Sequence, residues 1–142
     1  MANVNPLVEV LRQVVEGQDF STPAGLLRSI RPEIAVAIPE GAPYSIATNV
    51  QHARIWQDYW LAGVRGERRP KIVMGQDFPT VGASEWPEVR RSFVLGLDEA
   101  YALAQGQVGE REAKMLLQIA VHGAYHLGQV QLLKRLLKSG QA

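Results

Sequence analysis

The chain has 142 residues, 46% of them hydrophobic and 20% charged, with a net charge of +1. That size and balance suit one soluble globular domain spanning residues 1–142; they exclude a long disordered chain and lack the strongly basic face of a nucleic-acid binder. There is no Cys, which excludes a disulfide scaffold, a thiolate-held zinc or iron–sulfur site and a cysteine nucleophile.

Leu7, Val8, Leu11, Val14 and Val15 recur at helical spacing and predict an amphipathic helix over 4–16, with Gly17 beyond its end. Glu9 lies inside this run and no basic segment precedes it, so no secretory signal is expected. Nor does any stretch reach the roughly 18 apolar residues of a membrane span. The expected location is cytoplasmic, with neither nucleic acid nor membrane as a partner.

Thr22 followed by Pro23 reads as a helix cap with proline in the first turn. It opens a short helical piece through Leu26, Leu27 and Ile30, which Pro32 is expected to stop. Pro32, Pro39, Gly41 and Pro43 predict a connecting loop over 32–43. Ser45 is the predicted cap of a helix over 46–64, with Ile46, Val50, Ala53, Trp56, Trp60 and Val64 as its apolar positions. Residues 65–84 form the longest irregular stretch, broken by Pro70, Gly75, Pro79 and Gly82. Such a length is unusual inside a compact domain, but it can carry the chain from one end of a bundle to the other.

Ser84 and Pro87 open the next predicted helix, whose apolar side holds Trp86, Val89, Phe93, Leu97, Ala100 and Leu103. Gly106 and Gly109 close it, and the longest helix follows over 110–137, with Gly140 as its stop. Glu110 and Glu112 near its start and Lys134, Arg135 and Lys138 near its end complement the helix dipole. Four long helical patterns and almost no strand pattern predict an all-α fold, a four-helix bundle.

The last helix carries a heptad-like stripe of Met115, Ile119, His122, His126, Gln129, Leu133 and Leu136. A stripe of this period packs against partner helices. Its ends are apolar, but its middle is His-His-Gln, and polar groups on a buried stripe are costly unless satisfied. Gly123 and Gly128 lie in the same turns and offer close approach to a partner or ligand. His122 and His126, four apart, leave one face a turn apart and can grip one metal ion. His52 is the remaining histidine, on a face shared with Thr48, Ile55 and Tyr59. If its helix packs beside the last one, all three imidazoles can meet.

Three imidazoles leave coordination positions open, as in catalytic rather than closed structural sites. Imidazole alone does not select the metal. The glutamate that zinc-protease helices place after their first histidine is absent, since position 123 is Gly. A helical histidine is more commonly a hydrogen-bonded residue than a ligand, so spacing leaves both readings open. Gln129, one turn beyond His126, and Tyr59, on the His52 face, are candidate catalytic or substrate-binding residues. Asn49 and Asp58 are candidates for orienting an imidazole through its other nitrogen.

The segment HGAYHLGQVQLLKRLL, residues 122–137, resembles the last-helix signature of the DinB-like (DinB/YfiT-like) family. SIATNVQHARIWQDYWLAGVRGE, residues 45–67, resembles that family's second helix, with His followed four residues later by Trp, and DFPTVGASEWPEVRRSF resembles the lead into its third. The resemblance implies an up-down-down-up bundle with a long crossover between its second and third helices. It implies a divalent ion, most often nickel or zinc, on His52, His122 and His126, and a homodimer. It further implies a metal-dependent enzyme acting on a small-molecule substrate. The activity would be of thiol S-transferase or hydrolase type, using a low-molecular-weight thiol cosubstrate in the first case. With no Cys in the chain, that thiol must come from outside. The alternative is a non-catalytic bundle that binds a metal or small ligand.

Overall fold

The computed structural model describes residues 3–139. Six α-helices follow one another: α1 (Pro6–Glu16), α2 (Pro23–Arg28), α3 (Pro32–Ala35), α4 (Ile46–Val64), α5 (Trp86–Ala104) and α6 (Glu110–Ser139). A single 3-10 turn, Ala83–Glu85, leads into α5, and no strand occurs among the described residues. No described helix is long and apolar enough to cross a membrane.

The helix ends follow from local chemistry. α1 begins at Pro6 rather than Val4 because Asn5 caps it: the Asn5 side chain accepts hydrogen bonds from the Leu7 and Val8 amides. Gly17 ends α1 in the left-handed region at φ 68°. Thr22 caps α2 as expected, its hydroxyl accepting from the Gly25 amide. α2 stops at Arg28, so Ile30 lies outside it. Pro32 does not merely stop a helix. Arg31 is extended, as a residue before proline tends to be, and Pro32 then opens α3, where its missing N–H would have had no partner. Ser45 caps α4 through the Thr48 amide. The proposed stop at Gly140 lies outside the described residues.

α4 packs against both α5 and α6, and α1 packs against the same two helices. Leu11, Leu27, Ile46, Phe93, Leu97, Leu116 and Ile119 are among the side chains buried between them. Each such side chain contributes about 1.5–3 kcal/mol relative to exposure. Trp86 is fully buried, and its indole N–H donates to the Ile30 carbonyl at 2.8 Å. The Arg90 guanidinium donates to the Leu27 and Ile30 carbonyls, at and just beyond the C-terminal end of α2.

One close approach sets the spacing of α4 and α5. Gln57, buried on α4, donates to the Phe93 carbonyl at 3.1 Å. Its amide fills the space over Gly96, where a Cβ would sit only 1.8 Å from Oε1. Gly123 on α6 faces Leu97 and Phe93 at ordinary contact distance, while a Cβ on Gly128 would meet nothing. Of the polar-centred stripe on α6, Met115, Ile119, His126 and Leu133 are buried, whereas Leu136 is exposed.

Candidate metal centre

The packing of α4 against α6 brings all three histidines together. One nitrogen from each of His52, His122 and His126 lies within 4.8 Å of the others. His52 and His126 are buried; His122 is partly open. The Nε2 atoms of His122 and His126 are 3.1 Å apart.

The outer nitrogens decide what the inner ones can do. His52 Nδ1 lies 2.8 Å from the Asp77 backbone carbonyl, which can only accept. Nδ1 therefore carries the proton and Nε2 keeps a lone pair. His126 Nδ1 lies 2.7 Å from Asn49 Oδ1. The Asn49 Nδ2 donates to Gln129 Oε1 at 2.9 Å, so Oδ1 is the acceptor and His126 Nδ1 the donor. The orienting partner that metal-bound imidazoles require is thus in place for both rings.

Burial, with the neighbouring His52 next, pushes His122 down to about 4. Burial, followed by His122 and His52, does the same to His126. At neutral pH both rings are uncharged, the state a cation needs. The donor set fits a divalent ion: a tetrahedral ion held at about 2.0–2.1 Å places neighbouring nitrogens about 3.3 Å apart, close to the observed pair.

Asp77 supplies the only buried carboxylate beside the cluster among the described residues. Its Oδ2 accepts from the Trp56 indole N–H at 3.0 Å and lies 3.5 Å from His52 Nδ1. The indole hydrogen bond is the main reason its carboxyl titrates below the ordinary range. A negative charge there would partly offset that of a divalent ion held by the three rings.

The long connection 65–84 delivers Asp77 and Phe78. Three side chains of α4 clamp it: Thr48 donates to the Pro79 carbonyl at 2.8 Å, while His52 and Trp56 hold Asp77. Phe78 stacks on His52 with ring centres 3.7 Å apart, and Tyr44 stacks on Phe78 at 4.8 Å. Trp60 meets His122 edge-on at 5.2 Å, and Tyr125 meets His126 edge-on at 5.1 Å. The cluster therefore sits inside an aromatic collar.

No family model matches the chain, and no curated protein or solved structure matches it either.

The structure unites His52, His122 and His126, as the spacing suggests. Asn49 takes the orienting role expected of it. Gln129 is engaged with Asn49, its Oε1 accepting from the Asn49 amide. Asp58 points elsewhere: half exposed, it pairs with Arg54 at 3.8 Å. Tyr59 is also turned away, its hydroxyl accepting from Arg69 at 3.0 Å with the guanidinium lying over its ring. It shares a helix face with His52, but seven residues along a helix is about 10 Å. Asp77, Phe78, Tyr44, Trp60 and Tyr125 carry no spacing signal. Aromatic residues in a core and an acid in a polar loop are too common to single out.

Proposed function

We propose that the protein is a divalent-metal-dependent enzyme of the DinB-like kind, with His52, His122 and His126 as its ligands. The observation that carries this reading is the convergence of the three imidazoles, two of them with their outer nitrogens already committed to acceptors. Nickel and zinc are the proposed ions, since both accept an all-imidazole set. The proposed architecture is a four-helix bundle of α1, α4, α5 and α6 in up-down-down-up order, with 65–84 as its crossover, assembled as a homodimer.

A bound ion would supply Lewis-acid activation of a substrate oxygen, or a water or thiol nucleophile effective near pH 7. The chain's own groups do the rest. Asn49 and the Asp77 carbonyl keep the tautomers of His126 and His52 fixed. Phe78, stacked on His52, covers that ring. The proposed reaction is thiol S-transfer to a small electrophile, or hydrolysis. Gln129 and Tyr59 keep a supporting rather than a reacting place in this scheme.

A non-catalytic metal-binding module is the second reading. It draws on the commitment of Tyr59 to Arg69 and of the Asp77 carboxylate to the Trp56 indole N–H, which occupies both groups in other bonds. Elemental analysis of tag-free protein tests the metal itself. About one nickel or zinc per chain is expected, lost in His52→Ala, His122→Ala and His126→Ala. Full metal content in all three variants would remove the basis of the proposal. Turnover of thiol–electrophile pairs or activated esters by the loaded protein separates the two readings.

A further inference from the structure

A groove of about 410 Å³ opens beside His122. It is lined by Trp60, Leu117, Gln118, Val121, His122 and Tyr125. His122 is the one imidazole of the cluster that reaches it, so the groove is continuous with the three-histidine site. A second hollow, near Tyr44 and Gln129, stops at Asn49 and Gln129 and includes no imidazole.

The groove's chemistry is one-sided. Val121 is 66% exposed and Tyr125 64%, with Leu117 beside them and the Trp60 ring forming the far wall. Apolar and aromatic side chains beside a few convergent polar groups are the usual lining of a small-molecule site. None of its lining residues is Lys, Arg, Asp or Glu. A carboxylate or phosphate seated against those side chains would lose water and gain no counter-ion from them. The Gln118 amide can serve one neutral polar group.

We propose that this groove binds an uncharged, apolar aryl or alkyl body of the substrate, directing its reactive group past His122 to the three-histidine site. The inference rests on the reading of that cluster as a metal centre. It predicts that recognition in the groove follows apolar area, at about three- to fourfold in affinity per methylene that is fully covered. Charge on the part of the ligand seated there works against binding.

The test separates the groove from the metal. N-phenyl-naphthylamine, a neutral fluorescent probe, is titrated into chelator-treated protein and into zinc-loaded protein, with its anilinonaphthalene sulfonate counterpart as the charged control. The neutral probe is expected to bind both forms, at least about tenfold more tightly than the sulfonate. Straight-chain alkanols should displace it in order of length. Val121→Glu, a change at an exposed position, should weaken the probe about tenfold or more while zinc content stays at wild-type level. Unchanged zinc content with no probe binding would overturn the groove and leave the metal centre standing. Probe binding without zinc binding would overturn the metal centre and with it the substrate role. Equal or tighter binding of the sulfonate, or a Val121→Glu variant that binds the probe normally, also sinks the proposal. So does a dimer that excludes the probe and that Val121→Glu turns into a probe-binding monomer, since a second copy then fills the groove.

Discussion

Asn49→Ala probes how the site is held without touching a proposed ligand. Asn49 is fully buried and bridges His126 Nδ1, at 2.7 Å, to Gln129 Oε1, at 2.9 Å. Removing its amide leaves a buried imidazole N–H without an acceptor, which costs about 1–3 kcal/mol. It also frees the ring to turn and the proton to move to Nε2. Loss of an orienting partner typically weakens metal binding about 10–100-fold, or roughly 1.4–2.8 kcal/mol. Competitive zinc titration against a chelator dye measures that loss, and circular dichroism confirms that the variant folds. Asn49→Asp is the informative companion. It keeps an acceptor for His126, and the Gln129 amide can turn to donate to it, so zinc affinity should stay within about threefold of wild type. A folded Asn49→Ala protein with wild-type zinc affinity would refute the view that this bridge sets the tautomer of His126.

Acidification should destabilise the metal-free protein. His122 and His126 titrate near 4, below their ordinary 6.5, so the unfolded chain gains protons first as pH falls. Their contribution is complete above about 6.5 and lost as pH drops through about 4, so urea midpoints should fall between neutral pH and about pH 5. Gly96→Ala should destabilise by about 1–3 kcal/mol despite alanine's better helix propensity, because the new methyl collides with Gln57. The loss should largely vanish in a Gln57→Ala background, and chemical denaturation of the four proteins of that cycle checks it. Asp77→Ala should leave the Trp56 indole N–H without its acceptor and loosen residues 77–79. Faster proteolytic cleavage within 65–84 in the metal-free variant is the expected sign.

The helices were legible because their ends carry local chemistry. Ser45 and Thr22 sit where their hydroxyls cap helix amides, and the acidic start and basic end of α6 match its dipole. Proline was read too narrowly at Pro32, where the same ring that halts one helix starts the next. The three-histidine cluster was legible through spacing on α6 and through resemblance for His52. The surroundings were not, because they depend on where a long connection lands. Asp77 is one acid within the irregular stretch 65–84, and only the fold puts it against His52. Asp58 and Tyr59 show the converse. Sharing a helix with a site residue places a side chain near in sequence but not near in space, and neighbouring arginines claimed both.

The bridge from Asn49 to His126 joins residues 77 positions apart. At about 5–20 residues per second, synthesis separates them by roughly 4–15 s. α4 is made before α6, so the cluster cannot close on a growing chain that still lacks α6. Any ion the cluster takes would therefore be selected only once α6 has docked on α4, and not by the earlier segment that carries His52 alone. A mismatch between the ion supplied during expression and the ion present later is then correctable only as fast as the docked helices open.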